Sequence, residues 1–300
     1  MKNRSLSVRP CLRASGATRA RARTAMLSAA LAVLCLLVPA GCAPHRTLED
    51  QLYSTSQNIA DAARFRTFTT DEPIELRTTG ALAVDVDSFS GDVTVRADRK
   101  VDRTYVEVRR VSNHGLGRWN ESREALDDAG WTATLEPRSG GGEALAIRTN
   151  TPNPEKHFSA VHVIVVTPAL DSVKVRTTKG DVTVIENQGP VDIETTKGDV
   201  RMMTPWPMTR AMTIITSEGS IDYRVRGESR GIFDCESRGG EVRQRAEFGK
   251  WLALDSDNDH DRFLAVLNDG TNPVVLRTSE ENIRVAIVPD PTNVGFYIVD

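Results

Sequence analysis

Cysteine is scarce in this chain of 300 residues, with 4 in all, at positions 11, 35, 42 and 235. Three of them stand in or at the end of a leader-like start, so no internal disulfide framework can staple the fold and a large buried core must stabilise it. Aromatic residues make up only 5% of the chain. The core therefore has to be aliphatic, and the many Val and Thr residues favour strands. The five histidines, at 45, 114, 157, 162 and 260, show no H-x-x-x-H or C-x-x-C spacing, which leaves zinc chemistry without a motif. His162 sits in an apolar strand pattern and reads as a satisfied sheet residue. Long apolar runs are missing too: Ala25 to Val38 falls short of the roughly 20 residues of a membrane helix.

That run is preceded by Lys2, Arg4, Arg9, Arg13, Arg19, Arg21 and Arg23 with no acid among them, and it ends in Pro39-Ala40-Gly41-Cys42. A charged start, a short apolar middle and small residues at a cut site make residues 1–41 a secretory signal. No Arg-Arg pair precedes the run, which points to the ordinary rather than the twin-arginine route. Ala40-Gly41-Cys42 resembles the bacterial lipobox, with Pro39 where that motif usually has Leu, and the resemblance makes Cys42 the lipidated first mature residue. Ala43 rather than Asp after it is similar to an outer-membrane sorting signal. The expected address is the bacterial cell envelope, on the outer-membrane or periplasmic side, held to the membrane by the N-terminal lipid. Residues 42–66 read as a polar tether, with at most a short helix over 51–63.

The leader carries 7 of the 38 basic residues and none of the 41 acidic ones, so the remaining chain has a net charge near −10. Nucleic acid rewards a concentrated positive face and is excluded as a partner.

Thr177-Thr178-Lys179-Gly180-Asp181-Val182 recurs letter for letter as Thr195 to Val200. Diverged copies surround Gly91, Gly219 and Gly240, with Glu281 in the equivalent place of a sixth. Apolar pairs two residues apart flank each corner: Val173/Val175 and Val182/Val184, Val191/Ile193 and Val200/Met202, Met212/Ile214 and Ile221/Tyr223. Among all such positions in the six copies only Gln244 is polar. Period-two alternation across a glycine corner is strand, turn, strand with one buried face. Copies about 18–21 residues apart are too short for helical repeats and predict an all-β, β-helix-like solenoid over 67–300. Stacked coils place like residues above like. Ser88, Thr177, Thr195, Thr216, Ser237 and Thr278 then form a hydroxyl ladder at the corners, and Lys174 and Arg176 lie beside Asp192 and Glu194.

Between Gly91 and Gly180 the rhythm breaks. Strands are predicted over 104–111, 131–135, 144–149 and 161–166, and a surface helix over 121–129 with Asn120 as N-cap. This insertion is expected to cover the N-terminal end of the solenoid. Ser90-Gly91-Asp92-Val93-Thr94-Val95, Thr178-Lys179-Gly180-Asp181-Val182-Thr183-Val184 and Val165-Val166-Thr167-Pro168 together resemble the bacterial DUF4097 family of adhesin-like proteins over roughly 66–290. The resemblance implies a β-helical envelope module and carries over no catalytic residue and no cofactor.

Each chemical signal has a plain structural reading beside it. Gly227-Glu228-Ser229-Arg230-Gly231 matches G-x-S-x-G, but no helix follows Ser229, so it reads as a turn residue. Asp255, Asp257, Asp259 and Asp261 resemble half a calcium loop, yet His260 replaces its glycine and Val266 its bidentate Glu. An enlarged acidic turn, replacing a glycine corner between Leu252/Leu254 and 263–266, is preferred. Asp92, Asp181, Asp199 and Glu241 form an acidic corner stripe that a carbohydrate-active enzyme could use; turn geometry explains them as well. Cys235 falls at an inward position and reads as a buried, inert thiol. Trp206 could stack on a sugar, with local packing preferred. The reading that results is a non-catalytic, adhesin-like or structural envelope module with an envelope protein or polysaccharide as partner; a β-helix enzyme acting through the acidic stripe is the alternative.

Overall fold

The structure, a computed structural model, describes residues 67–115, 117–154, 158–255 and 259–293. The signal segment, Cys42, the tether and Asp257 lie outside the described residues.

Short strands β1 (Thr67–Thr70) and β2 (Ile74–Leu76) open the described chain. The first coil follows as β3 (Leu82–Ser88) and β4 (Val93–Ala97). The insertion comprises β5 (Thr104–Ser112), α1 (Trp119–Asp128), β6 (Gly130–Pro137), β7 (Glu143–Asn150) and β8 (Ser159–Thr167). Three coils then run in succession: β9 (Leu170–Lys179) with β10 (Val182–Ile185), β11 (Val191–Lys197) with β12 (Val200–Met203), and β13 (Met212–Glu218) with β14 (Ile221–Val225). A further coil, β15 (Gly231–Ser237) with β16 (Val242–Ala246), is followed by β17 (Trp251–Ala253) and β18 (Arg262–Leu267), and β19 (Pro273–Thr278) with β20 (Ile283–Ile287) completes the set.

Each coil gives one strand to each of two facing sheets. One runs β1-β5-β8-β4-β10-β12-β14-β20-β16, with β2 beside β5; the other runs β17-β18-β15-β19-β13-β11-β9-β3-β7-β6. The coils pair in parallel and in register, Val182 against both Val93 and Val200, and Val191 against both Val173 and Met212. The inward pairs read from the sequence are all buried except Val242, which is half-buried, and Gln244, which is exposed. This is the β-solenoid architecture expected from the corner repeat.

The stack departs from chain order in one place. The last coil, β19–β20, inserts between β13–β14 and β15–β16. Its inward residues Val274, Leu276, Ile283 and Val285 are all buried, which suits an interior position. The coil carrying Gln244 is displaced to the end, where a polar inward side chain meets solvent instead of core.

The insertion covers the other end. β5 and β8 extend one sheet beyond β4, while β7 and β6 extend the other beyond β3. The helix starts at Trp119 and is preceded by Arg118 with no side-chain cap, so the expected Asn120 cap is wrong; Asn120 is already inside the first turn. A polar knot holds α1 in place. Arg110 bonds Asp71 at 2.6 Å and donates to the Leu126 carbonyl at 2.7 Å, while Trp131 Nε1 donates to Asp71 at 2.6 Å. The guanidinium at the helix C-terminus also faces the negative end of its dipole.

A second correction concerns β17. It pairs antiparallel with β18, Trp251 opposite Leu267 and Ala253 opposite Ala265. Leu252 and Leu254 are therefore outward and exposed, at 61% and 51%, and not the inward pair of a coil. A slip of one residue exchanges the two faces of a strand.

Candidate interaction surface

The corners come first, because most of the repeated polar residues lie there. Gly198 has φ +147°, and a Cβ at that position would run into the carbonyl carbon and oxygen of Gly180. Gly219 stands in the same relation to Gly198. Successive corners thus stack backbone on backbone, with Gly91, Gly180 and Gly198 donating to the carbonyls of Lys179, Lys197 and Glu218 at 2.7–2.8 Å. The expected hydroxyl ladder is present and buried. Thr278 donates to the Gly219 carbonyl at 2.8 Å, Thr216 to that of Gly198 at 3.1 Å and Ser237 to that of Glu281 at 2.6 Å.

The acidic stripe is engaged in the same way. Asp92 accepts the N–H of Asp181 at 3.0 Å, Asp181 that of Asp199 at 2.9 Å, and Asp199 that of Ser220 at 2.8 Å. The row is closed at the insertion end by His162 Nδ1, which accepts the Asp92 N–H at 3.0 Å, and toward the other end by Asn282, which accepts the Glu241 N–H at 2.9 Å. Burial, with Asp92 and Asp199 adding like charge, pushes the Asp181 carboxyl above its usual value, against the lowering effect of the Asp199 N–H. A carboxylate that holds the next coil in register has its lone pairs directed along the stack, which is a structural use.

The remaining sequence candidates fall into place similarly. Ser229 is buried and its Oγ accepts the Met208 N–H at 3.0 Å, so it caps a turn. Cys235 is fully buried, and desolvation pushes its thiol well up, toward the inert form. Trp206 lies under the Arg99 guanidinium, 4.3 Å from ring centre. Of the four aspartates proposed as a weak cation loop, Asp255, Asp259 and Asp261 are described, and no group of three or more possible metal ligands gathers among the described residues. Their segment instead caps the corner ladder: the carbonyl of His260 accepts the Val242 N–H at 2.6 Å, and that of Asp261 the Ser237 N–H at 2.8 Å.

The outer face of the sheet containing β9 and β11 neutralises itself. Arg176 pairs with Asp192 at 2.8 Å and Glu194 at 3.0 Å, as the register of the sequence requires, and Arg148 pairs with Asp85 at 3.1 Å.

The end opposite the insertion is different. A cluster of four rings lies there: Phe233 and Trp251 meet edge to face at 4.9 Å, Trp251 and Phe263 at 5.1 Å, and Tyr223 lies 6.0 Å from Phe233. They plug the terminal coil and are rimmed by exposed Phe248, Leu252 and Leu254. A cleft of about 620 Å³ opens on one side of Trp251, lined by Glu228, Arg230, Lys250, Leu252 and Asp269 among others. A second, of about 500 Å³, opens between β16 and β17–β18. Sequence reasoning passed over this surface. The available signal was Phe248, Trp251 and Phe263 within a stretch of a chain otherwise poor in rings.

Comparison with known proteins agrees with this fold. No curated protein matches the chain. A crystal structure from Clostridium sporogenes, described as a "putative cell adhesion protein", superposes with a TM-score of 0.50 at 8% identity, covering 74% of this chain and 100% of that one. One from Bacteroides fragilis, described as a "putative adhesin", gives a TM-score of 0.27 at 10% identity over 73% of this chain and 97% of that one. The family model named Toastrack DUF4097 matches residues 166–286, the five coils from β9 to β20 with the β17–β18 hairpin. Over these residues the chain is similar to the Toastrack DUF4097 family.

Proposed function

We propose that the protein is an exported, lipid-anchored, non-catalytic binding module of the bacterial envelope, adhesin-like in action, that meets an envelope polysaccharide with the end of the stack opposite the insertion. The observation that carries this is the division of the polar residues. The corner acids Asp92, Asp181 and Asp199 and the hydroxyls of Thr216, Ser237 and Thr278 are engaged by backbone groups, whereas Arg230, Lys250, Glu228 and Asp269 line an open cleft beside an aromatic ring and have the mixed donor and acceptor character a sugar chain requires. The description of the C. sporogenes fold relative as a "putative cell adhesion protein" is in keeping with it, and the leader ending in Cys42 supports export and anchoring.

Titration of purified envelope polysaccharide into the full chain tests the binding arm. Lys250→Glu and Leu252→Asp, both at the cleft, should each weaken it at least about ten-fold, since a lost charge-assisted contact is worth about 1.5–3 kcal/mol. Absence of binding, or binding indifferent to both changes, would sink the reading. Metabolic lipid labelling should disappear in Cys42→Ser, and label retained by that variant would remove the anchor.

A further inference from the structure

The two outer faces of the stack carry different charge patterns. On the neighbouring strands β12, β14, β20 and β16, the eight positions that alternate with the inward residues hold Arg201, Arg224, Arg284, Arg243 and Arg245, a single acid, Asp222, and two uncharged residues. On the other sheet the same coils turn Asp192, Glu194, Asp234 and Glu236 outward, and these are answered by Arg176 and Arg277. A chain with 41 acidic residues against 38 basic ones thus gathers arginine on one face.

Register sets Arg201, Asp222, Arg284 and Arg243 in one row across the four strands. Asp222 accepts two bonds from Arg224, at 2.9 and 2.7 Å, and lies 3.7 Å from Arg201. Arg243 and Arg245 pair with the turn acids Glu241 and Glu247, so five guanidinium groups stand against three carboxylates. Arg284 is directly opposite Arg243, and both are exposed. Like charges in facing positions oppose the pairing of their strands, whereas on the other sheet Arg176 faces Glu194. A local rule broken on an exposed face points to a use other than stability.

We propose that this arginine face is a second binding surface, distinct from the cleft beside Trp251, and that it takes a carboxylate-bearing glycan lying across the strands. Three observations favour that occupant. The first is the cation itself: all five bases are Arg, whose planar fork matches a carboxylate with two parallel bonds. The second is shape. The strip is four strands long, about 14 Å over three spacings, and two outward residues wide, about 7 Å. Asp199 and Glu241 at the corners border it, so a single narrow chain fits, and a nucleic acid duplex with a charge every 1.7 Å or so would meet those acids as well. The third is the lack of a wedge among the described residues of this strip: its two uncharged positions are the small Ala286 and the buried Met203, whereas a lipid surface rewards apolar side chains that enter it.

Titration of polygalacturonate into the full chain, with neutral dextran as the control, tests this. Polygalacturonate should bind and dextran should not, and the affinity should fall at least about ten-fold as salt is raised from about 50 to about 200 mM. Arg243→Gln with Arg284→Gln should weaken binding at least about ten-fold while the melt stays at or above that of the unchanged chain, because a like-charge pair is relieved. Should that pair fail to fold, Arg201→Gln with Arg245→Gln supplies the same comparison. Leu252→Ser at the cleft should leave polygalacturonate binding unchanged, which keeps the fate of this face separate from that of the cleft. Dextran bound as tightly as polygalacturonate would overturn the proposal, as would binding indifferent to the arginine changes. Tighter binding to phosphatidylglycerol vesicles would give the face to a lipid surface instead, and a dimer mass in sedimentation that the same changes abolish, without glycan binding, would give it to a second copy.

Discussion

A side chain on Gly198 has nowhere to go, because its Cβ would meet the Gly180 carbonyl and its φ of +147° lies where L residues are strained. Gly198→Ala should therefore cost about 1–3 kcal/mol in a denaturant melt, the range for forced overpacking. Asp181 calls for the opposite expectation. Its carboxyl is raised above the usual aspartate value, chiefly by burial. A raised acid is protonated in both states at low pH, but as pH rises past about 4 the unfolded chain ionises first, so stability falls through the window up to the folded value. Asparagine keeps an oxygen for the Asp199 N–H and has no charge to desolvate. The stability of Asp181→Asn relative to wild type should thus grow as pH is raised from about 4 and then level off, which paired melts across pH would show. The inward valines were legible at this scale because alternation is a local rule. Asp181 was legible as a turn acid, but that its carboxylate holds the neighbouring coil depends on a partner 18 residues away.

The elements show where a one-residue ambiguity matters. β17 has three residues, too few for alternation to fix a face, and Leu252 and Leu254 look as suitable for the core as Trp251 and Ala253. The larger ring, packed between Phe233 and Phe263, sets the register. Longer strands had no such ambiguity: Lys174 and Arg176 fall beside Asp192 and Glu194 as the repeat demands. Arg176→Glu would set like charges against Asp192 and Glu194 and should lower stability by about 0.2–1 kcal/mol per opposed pair. Because these side chains are partly exposed, the loss should shrink as salt is added, and melts at two ionic strengths would measure it.

For the whole molecule the order of coils is the property the sequence conveyed least. Parallel ladders between like coils carry no turn that dictates who neighbours whom, and all six copies share one inward pattern. Gln244, the lone polar inward residue, was the available sign that its coil terminates the stack. With β19–β20 lying between β13–β14 and β15–β16, a chain ending at Gly270 should lose more than one coil. Hydrogen exchange on it should show β15 to β18 unprotected, while β9 to β12 remain slow; retained protection of β15 would mean that it can dock directly on β13.

The embedded position of the last coil also bears on how such a molecule can lengthen. A repeat copied at the end of the chain would have to enter a place already sealed on both sides, whereas between β9 and β14 the order of synthesis and the order of stacking coincide. That is where the two identical copies, Thr177 to Val182 and Thr195 to Val200, are found. Duplication of residues 180–197 in place should give a folded chain longer by one coil, about 4.8 Å along the stack, whereas duplication of 273–287 should not. By this argument the solenoid lengthens most readily in its middle, where the two identical Thr-Thr-Lys-Gly-Asp-Val corners lie.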